Sequence, residues 1–413
     1  MKHGKRLVFL VFLLLGMACN LLTPGNNPTS LPTPVEMTPA QTAVQLPTAS
    51  VPTATQPIVP SPTVPSPTVE ITQTLVPPTE TPAVTMQNPV VLADTKSSPT
   101  QLNVLDPVTG KSLAAFTASD FPDYGTSYAI GNYVYYVDST AKNVFRVDHT
   151  GQSLDLKFLN PDQVALSNAG SFLPSPDGKR IAWTNMISFD ATGIHYLLIV
   201  ANIDGTNEKV LLDQTSAFYR IPFAWSNDGS LLYCSNQPYG IGGYILFGGS
   251  GDLITINLDS GQQQTIIPEE KKFRPLSLSP DEKTVAMLQI GDTIQLVFHD
   301  IVTGGEKSVK LPDGYSQAGS IIWSPDSQTV GLTMAIGEPD HEAFSVILVQ
   351  TSNLATNVLI KDDPRNFRTI TWPVAGTIWL NSDADTTAWM MDATTGALTQ
   401  STIPGIIVHT KWD

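Results

Sequence analysis

Three arginines in this chain each follow an aromatic residue: Tyr219-Arg220, Phe273-Arg274 and Phe367-Arg368. A guanidinium group grips a carboxylate through two parallel N–H···O bonds and stacks on an aromatic ring. Three such pairs brought to one place would hold a carboxylate ligand or the acidic end of a peptide. The same pairs serve packing alone if each arginine meets an aspartate of a neighbouring connector, such as Asp213 or Asp362, or lies on its own ring. Residues 236–250 add Tyr239, Tyr244 and Phe247 among glycines. Long loops of that kind on a rigid scaffold are where ligand contact concentrates.

Bond-making chemistry has less support. Gly248-Gly249-Ser250-Gly251-Asp252 lacks the last glycine of a nucleophile elbow. His149, His195, His299, His341 and His409 stand far apart, without the spacing of metal ligands. Asp383-Ala384-Asp385 has half the pattern of a calcium loop and lacks its glycine and distal glutamate. No metal site and no cofactor are expected, and the chain reads as a non-enzyme.

What positions these residues is a repeat. Leu173-Pro174-Ser175-Pro176-Asp177-Gly178-Lys179-Arg180-Ile181-Ala182-Trp183 is followed by Ala224-Trp225-Ser226-Asn227-Asp228-Gly229-Ser230-Leu231-Leu232-Tyr233. Then come Leu278-Ser279-Pro280-Asp281-Glu282-Lys283-Thr284-Val285 and Ile322-Trp323-Ser324-Pro325-Asp326-Ser327-Gln328-Thr329-Val330. Proline presets φ for a turn, and the serine and aspartate side chains bond the local backbone. A second turn signal with Asp and Gly recurs at residues 106–110, 148–151, 204–205, 259–261, 300–304 and 392–396. Strand and turn signals at a period of this size mean a β-propeller of four-stranded antiparallel blades.

The Ser-Pro-Asp-Gly phrase resembles the TolB-like, WD40-like propeller repeat called PD40. That resemblance spans roughly residues 125–380 and is specific for fold, weak for role. First strands are counted at Tyr128, Leu173, Trp225, Leu278, Trp323, Trp372 and near Trp412, which gives seven blades, with six or eight as the alternatives. Residues 89–116 supply only three strands, so the last segment, 406–412, is expected to complete the first blade and close the ring. The propeller should occupy residues 89–413. First and third turns should share one face, while the long segments 187–195, 236–250 and 336–344 lie on the other with the arginine pairs around the channel mouth.

The first 19 residues are of another kind. Lys2, Lys5 and Arg6 precede an apolar run over residues 7–15, then Gly16-Met17-Ala18-Cys19. This is a secretory signal, too short in its apolar part for an ordinary membrane span. Ala18-Cys19 makes it resemble a bacterial lipoprotein signal, which implies cleavage before Cys19 and lipidation there; Gly16 departs from the leucine usual three places before the cysteine. Residues 20–88 carry 15 of the chain's 33 prolines and three charges, Glu36, Glu70 and Glu80. Such a stretch lacks the apolar surface to fold and reads as an extended tether, with threonines open to glycosylation.

The signal's three positive charges offset the tether's three negative ones, so the formal net charge of −15 falls on the propeller. That disfavours nucleic acid. The expected function is a lipid-anchored, extracytoplasmic binding or scaffold module for a protein, peptide or glycan partner. Its membrane contact would be the lipid on Cys19. The alternative is a hydrolase or lyase working at the channel mouth, for which Glu338, Asp340, Asp362 and Asp363 are the nearest acids.

Overall fold

The computed structural model describes residues 89–410, apart from 119–120, 122–126, 139–142, 149, 160–171, 238–245, 247–248, 270–273, 338–340, 368 and 383–384. The strands form seven antiparallel meanders. Blade 1 contains Val90–Asp94, Thr100–Leu105 and Ser112–Ala118, and blade 2 Ser127–Ile130, Tyr133–Val137, Val144–Asp148 and Ser153–Asp155. Blade 3 is Phe172–Pro174, Arg180–Asp190, Gly193–Asn202 and Lys209–Ser216; blade 4 is Tyr219–Trp225, Leu231–Gln237, Leu253–Asn257 and Gln263–Ile267. Blade 5 is Leu276–Leu278, Thr284–Ile290, Ile294–Asp300 and Glu306–Lys310; blade 6 is Gln317–Trp323, Thr329–Ile336, Ala343–Gln350 and Thr356–Asp363. Blade 7 is Thr369–Val374, Thr377–Ser382, Thr387–Asp392 and Leu398–Gln400. The fold is a seven-bladed β-propeller, and six of the seven expected inner strands stand where the repeat put them.

The seventh inner strand closes the ring in an unexpected way. Ile406–Ile407 pairs antiparallel with blade 1, Ile407 opposite Leu92. The chain then crosses to blade 2, where His409–Thr410 runs parallel to Tyr128 and Ala129. One continuous segment over residues 406–412 on blade 1 was expected; two short strands on two blades are found. Ile407 packs in the seam between blades 7 and 1, and Val408 in the seam between blades 1 and 2. Trp412 lies outside the described residues.

Apolar side chains gather between blades, with a core at each of the seven seams. That follows from period-2 strands buried on both faces: alternate side chains serve the preceding blade and the next. The repeat's tryptophans tie seams by polarity as well. Trp225 Nε1 donates to Leu173 O of blade 3 at 3.1 Å, and Trp323 Nε1 to Ser277 O of blade 5 at 3.2 Å. Trp372 packs in the blade 6–7 seam, but its Nε1 is buried without an acceptor among the described residues. It sits within an inner-strand bulge between Thr371 and Val374. At the closing seam the indole donor is instead Trp379, on a second strand, which reaches Pro107 O at 2.9 Å.

The repeated phrase folds identically four times. Ser175, Ser226, Ser279 and Ser324 each donate Oγ–H to the aspartate two residues on, at 2.6 to 2.7 Å. Each also accepts a main-chain N–H five residues on, from Arg180, Leu231, Thr284 and Thr329. The turn's fourth residue is left-handed: Gly178 and Gly229 at φ 65° and 69°, but also Glu282 at 58° and Ser327 at 60°. The first residue of the third turn bonds a first-turn carbonyl of the same blade in blades 3 to 7, as Ile203 N–H does to Lys179 O. First and third turns therefore share one face.

Candidate functional site

The two faces are built differently. On the tight-turn face, neighbouring blades are laced together. Arg180 Nη2 of blade 3 donates to Gly229 O of blade 4 at 2.6 Å and stacks over Trp225. Asn227 Nδ2 of blade 4 donates to Pro280 O of blade 5 at 2.9 Å, and Asp281 N–H of blade 5 to Ser327 Oγ of blade 6 at 3.2 Å. Lysines of fourth strands do the same further out: Lys209 reaches Leu258 O, and Lys307 reaches Thr351 O.

The opposite face carries the second turns of the blades and the described parts of the long segments. Residues 187–195 were expected as a loop. They are instead the tip of an extended hairpin, with Asp190 opposite Gly193 and a bend at Ala191 and Thr192. Asp190 Oδ1 accepts the Thr192 N–H and hydroxyl, which tightens that bend. The hairpin leaves Phe189 63% and Ile187 48% exposed, while Ile194 and Tyr196 on it are buried against Tyr219 and Ile221 of blade 4.

Arg220 and Arg274 sit on this side. Arg220 is on the inner strand of blade 4, where its guanidinium forms a bidentate ion pair with Asp252, at 3.1 and 2.5 Å. Asp252 is nearly sealed from solvent, and its Oδ1 also accepts Asn236 N–H at 2.8 Å. The expected partners were Asp213 and Asp362; neither holds Arg220. Asp213 meets His195 at 2.8 Å, and Asp362 donates its N–H to Ser345 Oγ. Asp252 stands 32 residues from Arg220 at the head of a third strand, a separation that carries no pairwise signal in sequence.

Arg274 is 7% exposed, and its main chain forms a two-way bridge with Ser250, at 2.8 and 3.2 Å. Tyr219 and Phe367 are both buried in blade seams, so their rings face core and not solvent. Arg368, Phe273, Tyr239, Tyr244 and Cys19 lie outside the described residues.

Sequence reasoning missed Arg365. Its guanidinium binds Asp363 at 2.9 and 2.6 Å and lies over the rings of Phe367, 5.0 Å away, and Trp389, 4.4 Å away. The hydrogen bonds from Arg365 hold the Asp363 carboxyl below its usual range. Two residues of separation made that pair readable in Asp363-Pro364-Arg365; attention to arginines directly after aromatics passed over it. Cys234 is fully buried in the blade 3–4 seam, and burial pushes its thiol up, away from nucleophilic use.

Comparison with known proteins adds to the fold. No protein-family model and no curated protein matches the chain. Among solved structures it is similar to an oligogalacturonate lyase in complex with manganese, at TM-score 0.50 and 11% identity, over 76% of this chain and 86% of that one. It is similar to the oligogalacturonate lyase of Vibrio parahaemolyticus at TM-score 0.49 and 12% identity, over 76% and 85%. TolB from Acinetobacter baumannii matches at TM-score 0.42 and 13% identity, over 78% of this chain and 66% of that one. The likeness is one of fold. At such identities it transfers no residue and no activity.

Proposed function

We propose that this chain is a lipid-anchored, extracytoplasmic propeller that binds or scaffolds a protein, peptide or glycan partner through its long-segment face. The observation that carries the reading is the difference between the two faces. The tight-turn face spends its polar groups on inter-blade bonds, whereas the other projects a hairpin with Phe189 and Ile187 exposed. Two described acids are tied up by arginines, which favours binding over acid–base catalysis. Asp252 is held by Arg220 and Asp363 by Arg365, and the Asp363 carboxyl, held low by Arg365, is a poor proton donor near neutral pH. The anchor rests on Lys2, Lys5, Arg6, the short apolar run and Ala18-Cys19.

Two experiments test the two halves. Metabolic labelling with a fatty-acid analogue should mark the wild-type chain and not Cys19→Ser; label on the variant refutes the anchor. A photo-crosslinking residue placed at Phe189 on native cells should capture a discrete partner, while the same group at Val302, 83% exposed on the tight-turn face, should not. Equal capture from both faces would remove the face assignment.

A further inference from the structure

Among the described residues, each seam of the ring but one is tied at its outer rim on the tight-turn face. In four seams an apolar side chain from the preceding blade or its connector presses on the glycine of a third turn. A Cβ added to Gly110 would lie 3.1 Å from Met390, one on Gly151 3.5 Å from Phe116, one on Gly205 2.9 Å from Phe158, and one on Gly396 3.2 Å from Leu359. The seams of blades 3–4 and 5–6 use a lysine: Lys209 donates to Leu258 O and Lys307 to Thr351 O. At the seam of blades 4–5, Gly304 has nothing within 4 Å, and Val302 in the same turn is 83% exposed.

Register accounts for the difference. Lys209 stands opposite Val200 and Lys307 opposite Phe298. Gln264, opposite Thr255, holds that place in blade 4 and is exposed. The receiving carbonyls are equivalent as well. Leu258, Ile301 and Thr351 each donate their own N–H to the first turn of their blade, at Ser230, Lys283 and Gln328. Ile301 O is therefore the acceptor that a lysine at position 264 would meet. A second tie differs at the same seam. Leu278 precedes Ser279 where Trp225 and Trp323 precede Ser226 and Ser324, so the indole bonds that cross seams 3–4 and 5–6 have no counterpart from blade 5 to blade 4. Polar ties across seam 4–5 lie at the inner rim, where Asn227 donates to Pro280 O and to Glu282, and on the far face, where Ser250 bridges Arg274.

We propose that the blade 4–5 seam is the joint at which the ring opens, its outer rim parting on the tight-turn face while the inner rim holds as a hinge. No sheet spans this seam, so each blade keeps its strands through the motion. Opening bares the apolar seam around Ile266, Met287 and Val297. The joint is a property of the ring and stands whether or not the binding reading holds, since its test uses no ligand.

Thiol labelling of the full chain tests it. Cys19→Ser and Cys234→Ala remove the native thiols. Val297→Cys then places a reporter in seam 4–5 and Val330→Cys one in seam 5–6, at sites 3% and 0% exposed. Met287→Cys serves seam 4–5 as a second reporter. A maleimide at neutral pH should label position 297 at least roughly 10-fold faster than position 330, because parting one seam takes less than unfolding the ring. Gln264→Lys should slow labelling at 297 by roughly 3- to 10-fold, the effect of one hydrogen bond from a charged donor. Lys307→Gln should speed labelling at 330 by a similar factor. Equal rates at 297 and 330 would show that both thiols are reached only by unfolding of the whole ring. A rate at 297 unmoved by Gln264→Lys, or at 330 by Lys307→Gln, would show that lysine ties do not hold the outer rims. Each of these results overturns the proposal.

Discussion

The carboxylate of Glu282, in the first turn of blade 5, accepts the main-chain N–H of Asn227 in the first turn of blade 4. Glu282 holds the turn position where blades 3 and 4 have glycine, and it holds it at φ 58°. A side chain in that region costs about 1 kcal/mol. The bond to the preceding blade offsets the cost, and Ser327 repeats the arrangement one blade on, accepting Asp281 N–H. Departures from Ser-Pro-Asp-Gly in these two copies are therefore inter-blade contacts, not decay of the repeat.

Replacement separates the two contributions. Glu282→Ala loses the bond and keeps the left-handed backbone; Glu282→Gly loses the bond and relieves the backbone. Chemical denaturation should find the alanine variant less stable than the glycine variant by about 1 kcal/mol. Equal stabilities would mean that the backbone costs nothing there.

The Arg220–Asp252 pair should behave as a buried ion pair. Asp252→Ala leaves a guanidinium without its carboxylate in a site closed to water, at a cost of about 3 kcal/mol or more. The unfolding midpoint reads it directly. A loss below about 1 kcal/mol would place the pair with exposed ones and return Arg220 to the ligand candidates.

Acid should weaken the propeller through its turns. Hydrogen bonds from the Ser226 hydroxyl and from Ser230 bring the Asp228 carboxyl down to about 2, and Asp106, Asp204, Asp300 and Asp392 are lowered by bonds from threonines. A carboxyl lower in the folded chain than unfolded stabilises above the unfolded value, near 4, and that contribution is lost as pH falls through the folded value. Melting temperature should hold from pH 7 to about 5, then drop between about 4 and 2. Asp228→Asn should make that drop shallower.

Ending the chain after Gly405 removes Ile407 and Val408, which sit 3% and 1% exposed in two adjoining seams. Two buried aliphatic side chains are together worth about 3 to 6 kcal/mol, and the cut also uncovers an inner edge of blades 1 and 2. Scanning calorimetry with light scattering should find early melting and aggregation. A truncated chain that melts like the intact one would refute closure by this segment.

The architecture was legible because a propeller repeats its instructions. Ser-Pro-Asp-Gly names a turn with a local mechanism, and the tryptophans before it mark inner strands. Blade 6 lacks the second glycine signal, yet Leu354 at φ 61° makes the same turn, with its N–H on Gln350 O, so that copy could be found only by counting strands. The site was less legible. Arg220 was visible but its partner was not, since Asp252 is local in space and distant in sequence. Leu246 looks in sequence like any leucine among glycines, yet it is buried in the core of blades 6 and 7, a fact of the ring and not of its neighbours in the chain.

The closure also sets a clock. Leu92 belongs to one of the first strands made, and its inner partner, Ile407, is among the last described residues. At about 5 to 20 residues per second, roughly 15 to 60 s of synthesis separate the two. Through that interval blade 1 has no inner strand, and the seam between blades 7 and 1 cannot form. A growing chain can stack its middle blades while it is still being made, but the ring stays open until its final turns emerge. On the proposal that the chain is exported, this order keeps the last lock open until the whole propeller has been made.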